Sequence, residues 1–264
     1  MEQLTGKLLG LPELASVHGA DVDKLIIYVH YLMFVLFVGW GAYFLYTIWR
    51  FRSSRNPKAD YAGVTSHASN WIEVAVAGVE VVLLVFFAVP LWAKVVDDFP
   101  KPESNPVTIR VTGQQFAWAG RYPGADGKYG KQDISLSSSG NPLGLHQMDE
   151  ASKAADVDGK DDITLAANVE IVVPVNRPVI MSVTSLDVIH SYKVLPLRIT
   201  QDAIPGMRIP FHFVATKTNT YQVNCAQLCG VGHSTMKGIL KVVSPEEYDV
   251  WLKSKAGSTP VSFE

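Results

Sequence analysis

Two cysteines, Cys225 and Cys229, lie four positions apart in "VNCAQLCGVGHSTMKG", with His233 four positions further on and Met236 three beyond that; the 264-residue chain has no other cysteine. In an exported domain two cysteines read first as a disulfide, and a bridge over three intervening residues is sterically possible. The neighbours point elsewhere. Cys229, His233 and Met236 are the thiolate, imidazole and weak axial thioether that redox-active copper takes from one loop between two strands, and a second histidine from a distant strand is available at His190 in "TSLDVIHSYKV". A mononuclear site of that kind needs one cysteine, so Cys225 is the informative residue. Two thiolates on one turn can each bridge two copper ions. The remaining donors then divide as one imidazole and one weak axial ligand per metal: His190 and His233, with Met236 and the backbone oxygen of Gln227. Zinc could use the two cysteines and two histidines but would leave Met236 without a role.

These residues need a scaffold, and the composition indicates where it sits. The chain is 48% hydrophobic and 18% charged, with a formal net charge of -2, which argues against a nucleic-acid partner. The apolar excess is concentrated in two runs. Residues 25–49, "LIIYVHYLMFVLFVGWGAYFLYTIW", carry no acid, lysine or arginine, and residues 71–95 begin "WIEVAVAGVEVVLLVFFAVPLWA"; at helical rise each is long enough to cross a bilayer. Tyr28, Trp40, Tyr43, Trp49, Trp71 and Trp92 place aromatics near several of the ends. Residues 1–24 show no basic start before a short apolar core, so the first span is expected to stay in the mature protein. Arg50, Arg52, Arg55 and Lys58 in the connecting segment 50–70 put that loop in the cytoplasm by the positive-inside bias, with both termini and residues 96–243 outside, in the periplasm of a bacterium.

From Pro106 onward, short runs rich in Val, Ile, Thr and Tyr are punctuated by Gly, Pro and Asn, which predicts an antiparallel sandwich or barrel. Residues 124–168 interrupt it with a polar, Gly- and Asp-rich insertion; its acids do not fit calcium-loop spacing, and the segment reads as a solvated surface loop. Residues 244–264 are read as a helix and tail, Ser244, Pro245 and Glu247 forming a capping box.

The order His190, then "CAQLCGVGHSTM" from Cys225 to Met236, behind two apolar spans, resembles subunit II of the haem-copper cytochrome c oxidases, the type with a dinuclear copper A centre. The similarity runs through "DVIHS" and "DAIPG" to the cysteine loop. It implies a two-span transmembrane α-helical hairpin followed by an all-β cupredoxin-like Greek-key barrel. It also implies two copper ions that take single electrons from a c-type cytochrome donor and pass them to haem in subunit I, in a bacterial inner membrane complex that reduces oxygen and pumps protons. Where the family often has a glutamate that holds a magnesium shared with subunit I, this chain has Gln227; its main-chain oxygen can still reach copper, but a neutral amide is a weaker ligand for a hard dication, which counts against magnesium. In "GQQFAWAGRYPG", Phe116 stands where the family frequently has the tryptophan of electron entry, and Trp118 takes the place of a later aromatic; the plain alternative is that both rings pack the barrel. By its distance from Pro90, Glu73 resembles the glutamate at the mouth of a proton path into subunit I. Glu80, seven residues on and on the same helix face, stands where the family often has proline and inherits no role. His30 reads as a satisfied imidazole within the first span, and His146 and His212 as surface or strand residues.

Two other functions use similar parts. The same subunit type in a nitric oxide reductase would carry the same copper residues, and a membrane-anchored copper carrier would need soft ligands too, although carriers expose exchangeable Met- or His-rich sites. No C-x-x-C-H occurs, so the electron donor is expected to be another protein. Cys225→Ser is predicted to remove the spectrum of a metal pair while leaving the chain in the membrane fraction; a pair spectrum that survives the substitution contradicts the ligand set.

Overall fold

The computed structural model describes residues 6–58, 61–63, 65–136, 138, 141, 143–146, 151, 155–165 and 170–255. They form two compact units, one built on Asp21–Lys94, the other on Pro12–Ala20 and the chain from Val95 onward.

The first unit is a helix pair. Helix α1 (Gly19–Phe51) and helix α2 (Ala68–Val96) contain 33 and 29 residues, or about 50 and 43 Å of helix, more than a hydrocarbon core of about 30 Å requires. They run antiparallel: Lys94 Nζ meets Asp21 Oδ2 at 2.8 Å, and the rings of Tyr28 and Phe87 meet edge-on at 5.5 Å. Phe34, Phe37, Phe44, Phe86 and Trp92 are exposed, which water would penalise and lipid would not. Inside the helix His30 Nδ1 donates to the carbonyl of Ile26 at 2.7 Å, so the imidazole finds its partner one turn back. A π-turn over Leu84–Ala88 interrupts α2, closed by the Val89 N–H on the Leu84 carbonyl; Pro90, which has no N–H to continue the ladder, follows at once.

The second unit is mainly β among the described residues, and a helix ends it. Strands β1 (Val107–Gln114), β2 (Ala117–Tyr122), β3 (Ile163–Leu165), β5 (Pro178–Ser185) and β8 (Ile209–Val214) make one sheet in the order β3-β2-β1-β5-β8. Strands β4 (Ile171–Pro174), β6 (His190–Val194), β7 (Ile199–Ala203), β9 (Asn219–Cys225) and β10 (Lys237–Val243) make the other, in the order β4-β10-β9-β6-β7. Alternation drives the packing: along β5 every second residue is buried, and Val179, Met181 and Val183 enter one core with Ile109, Tyr192 and Leu240. Tyr122 on one sheet donates its hydroxyl to the Val172 carbonyl on the other at 2.8 Å and accepts from the Val172 N–H at 2.9 Å. Two pairings, β1 with β5 and β4 with β10, are parallel, where the sequence pattern predicts antiparallel strands. The chain crosses to the second sheet at β4 and returns at β5, and such a crossover permits a parallel neighbour where a tight hairpin does not.

The insertion is more than a solvated loop. Its last strand, β3, extends the first sheet, and Asp162 forms a buried ion pair with Arg121 of β2 while accepting the Gly130 N–H at 2.9 Å. Burial pulls the Arg121 guanidinium down and pushes the Asp162 carboxyl up, each against the attraction of the other. Acidic composition alone suggests a solvated segment; a buried cation on the adjacent strand reverses that. Helix α3 (Pro245–Lys255) closes the unit, with Ser244 and Glu247 exchanging backbone-to-side-chain hydrogen bonds at 3.1 and 3.2 Å, and Tyr248 and Trp251 packing toward the core.

Removing one partner of the buried pair leaves the other uncompensated, so Asp162→Ala is predicted to destabilise the β unit by about 3 kcal/mol. The urea midpoint of the full chain in detergent, followed by near-ultraviolet circular dichroism, measures it; an unchanged midpoint contradicts the prediction.

Candidate metal centre

Cys225 is the last residue of β9 and Met236 directly precedes β10, so the ten residues between them close a hairpin with these two at its neck. The Cys225 N–H donates to the Met236 carbonyl at 3.2 Å, and register pairs Cys225 with Tyr192 on β6, two residues after His190. The Ala226 N–H continues that join to the Ser191 carbonyl at 2.9 Å. A turn over His233–Thr235, in which the Met236 N–H reaches the Gly232 carbonyl at 3.1 Å, brings the rest of the loop back across the neck.

The side chains converge accordingly. The two sulfurs lie 3.8 Å apart as free thiols. His190 Nδ1 is 3.9 Å from the Cys225 sulfur, and His233 Nδ1 is 3.7 Å from that of Cys229. Met236 Sδ lies 3.8 Å from the Cys229 sulfur, and the Gln227 carbonyl 3.1 Å from that of Cys225. His190, Cys225 and Cys229 have ligand atoms all within 4.8 Å of one another. Two donors bonded to one ion at about 2.0–2.3 Å and a tetrahedral angle stand about 3.5 Å apart, so these spacings suit metal coordination, and a sulfur gap below twice a metal–thiolate bond lets one ion touch both sulfurs. His190 and Met236 are fully buried, both cysteines nearly so, and His233 is half-buried. Burial pushes the Cys229 thiol well above its ordinary range, and the neighbouring Cys225 adds to the shift, so a cation that binds there offsets the cost of the buried Cys229 thiolate.

Sequence reasoning missed the residues that aim these donors. Asp187, three before His190, accepts from His190 Nε2 at 2.8 Å; a carboxylate only accepts, so the proton sits on Nε2 and the Nδ1 lone pair faces Cys225. Asp187 also accepts the N–H groups of Gln115 at 2.6 Å and Val188 at 2.7 Å. Burial alone would raise its carboxyl, but these hydrogen bonds outweigh burial and hold it below the ordinary carboxylate range. Gln115 donates from Nε2 to the Cys229 carbonyl at 2.7 Å, tying the β1–β2 turn to the cysteine loop. An aspartate so close in sequence to a candidate ligand was the available signal for the first; nothing local marks the second.

Both aromatics singled out in the sequence border the cluster. The ring of Phe116 lies where side chains on Gly230 and Gly232 would be, so only glycine lets the loop close beneath it. Trp118 is buried and meets His190 edge-on at 5.9 Å and Tyr192 at 5.2 Å, and Gly113 makes room for it: a β-carbon there would stand 2.9 Å from Trp118 and 3.1 Å from His190. Glu73 and Glu80 lie on α2 in the helical unit, where Glu80 borders a groove with Leu36, Trp40 and Phe44. His212 packs against Phe99 in a tilted arrangement, 4.8 Å between ring centres.

A family profile described as "Cytochrome C oxidase subunit II, periplasmic domain" matches residues 107–243, from the first residue of β1 to the last of β10. "Cytochrome c oxidase subunit 2" of Cereibacter sphaeroides is 31% identical over 253 residues, covering 94% of this chain and 78% of the relative. "Alternative cytochrome c oxidase subunit 2" of Bradyrhizobium diazoefficiens is 29% identical over 210 residues, covering 80% and 71%. Among solved structures, the periplasmic domain of subunit II of cytochrome oxidase of Bradyrhizobium japonicum aligns at 28% identity with a TM-score of 0.40, over 56% of this chain and 92% of that one. The family binds copper and works within an oxidoreductase complex, and two apolar helices together with a β unit of this kind make a membrane-anchored subunit. The matched segment carries every residue of the sulfur and imidazole cluster, and the chain belongs to the cytochrome c oxidase subunit II family.

Proposed function

We propose that this chain is the electron-entry subunit of a respiratory cytochrome c oxidase and holds a dinuclear copper A centre, with a c-type cytochrome as donor and haem in subunit I as acceptor. The observation that carries the reading is the pair of free sulfurs 3.8 Å apart, each with its own imidazole nitrogen within 4 Å. Cys225, Cys229, His190, His233, Met236 and the Gln227 carbonyl would hold the copper. When bound, such a pair supplies a one-electron relay whose geometry changes little between its two states.

The chain's own residues account for the rest. Asp187 fixes the tautomer and direction of His190, so this donor needs no reorientation. Backbone hydrogen bonds at the hairpin neck and the Gln115 clasp hold the sulfurs from two sides. Buried aromatic and aliphatic neighbours keep water from the thiolates, and half-buried Phe116 would be the place where a donor's electron enters; Trp118 would serve as packing and as a second aromatic beside His190. On α2, Glu73 would stand at the mouth of a proton path shared with subunit I. The hairpin would cross a bacterial inner membrane at about residues 25–49 and 71–95, with 50–70 cytoplasmic and both termini and the copper unit periplasmic. A neutral Gln227 side chain speaks against magnesium.

Metal analysis with electron paramagnetic resonance tests the pair: two coppers per chain sharing one unpaired electron are expected, and one copper, or a four-line signal from a single metal, rejects it. Asp187→Ala is predicted to lower the retention of copper against a graded chelator by about 10- to 100-fold, because His190 loses its anchor. Equal retention by both proteins would show that the ring is held by packing alone.

A further inference from the structure

At the end of the helix hairpin away from the basic loop, α1 and α2 enclose a groove of about 290 Å³. Its floor is apolar, formed by Leu25 and Tyr28 of α1 and by Phe86, Phe87 and Leu91 of α2. Its rim is charged: Lys94 and Lys24 share the single carboxylate of Asp21, at 2.8 and 3.8 Å. Two ammonium groups for one carboxylate leave one positive charge, and both lysine side chains are about half exposed, at 55% and 45%.

Depth separates the two chemistries. From Asp21 to Tyr28 the helix rises about 10 Å, whereas the interfacial zone on one side of a bilayer is about 5–8 Å thick, so the lysines stand among headgroups while the aromatic floor reaches the acyl chains. Pro90 and the π-turn before it set Phe86 and Phe87 in that floor, and Phe87 is braced edge-on by Tyr28. A free anion would match the rim and leave the floor bare. An uncharged apolar segment would match the floor and leave the extra lysine unanswered. A molecule that carries one negative charge directly above a hydrocarbon chain matches both.

We propose that this groove is a binding site for one phospholipid with an anionic headgroup, its phosphate held between Lys24 and Lys94 and the start of an acyl chain lying along Phe86, Phe87 and Leu91. The site rests on the membrane-anchored reading of the hairpin and is independent of the copper reading.

The test uses the intact oxidase complex in nanodiscs with photoactivatable phosphatidylglycerol or phosphatidylcholine, each with its reactive group on the acyl chain near the glycerol. Peptide mapping should place the phosphatidylglycerol label on residues 25–28 or 86–91, at about fivefold the phosphatidylcholine yield, the selectivity of roughly one uncompensated lysine near a membrane surface. Lys24→Gln with Lys94→Gln should bring the two lipids to equal labelling, and Lys94→Arg should keep the preference. If the double variant does not assemble, the wild-type preference should itself shrink as salt is raised. Excess inorganic phosphate should leave the label in place. The proposal is overturned by equal labelling of the wild type by both lipids, by a preference that persists in the double variant or at high salt, by displacement with free phosphate, or by absence of label because another subunit covers the groove. Copper content, read on the same samples, is expected to stay constant throughout, which separates failure of this site from failure of the copper assignment.

Discussion

Two sulfur atoms held close together without bonding to each other form the constraint on which the β unit depends. A spacing of 3.8 Å is far beyond a disulfide yet short enough for a shared ion. Side chains on a free loop would not keep it. Here one sulfur belongs to the last residue of a strand paired on both sides, by β10 and by β6, and the other sits on a loop whose carbonyl is clasped by a glutamine from the opposite sheet. The sandwich therefore acts as a jig: each sheet contributes one grip, and neither grip alone sets the distance.

The same frame sets the electrostatics. Burial raises the cost of ionising the Cys229 thiol, and a metal cation offsets that cost. Rigidity follows from the same packing. His190 is fixed at one nitrogen by Asp187, flanked by Trp118, and given room by a glycine on β1. A site held this firmly reorganises little when an electron arrives or leaves, as the proposed relay requires. Closure of the loop beneath Phe116 depends on two glycines, Gly230 and Gly232.

In the helical unit apolar surface is solvated rather than buried. Large side chains face outward along both helices, while His30 pairs with its own helix's carbonyl and Asp21 lies between two lysines. The break in α2 at Leu84–Ala88 and Pro90 falls beside the groove at the hairpin's open end, so the irregular backbone lies where the helix surface departs from a plain cylinder.

Much of this was legible in one dimension because the signals are local. Uninterrupted apolar runs specify helices of membrane length, the capping residues Ser244 and Glu247 specify where the last helix starts, and a four-residue spacing of cysteines followed by His233 and Met236 specifies a soft donor set on one loop. What lay beyond reach depends on contacts between residues far apart along the chain. The parallel neighbours β1 and β5 arise from a crossover that no strand pattern records. Asp162 turns inward only because Arg121, 41 positions earlier, waits under it. Gln115 reaches the Cys229 carbonyl across 114 residues. Composition and spacing thus determined which chemistry the chain can perform, since donor types and apolar lengths are properties of the residues themselves. Tertiary structure alone decided the distances and directions of those donors, because they are set by the packing of two sheets against each other.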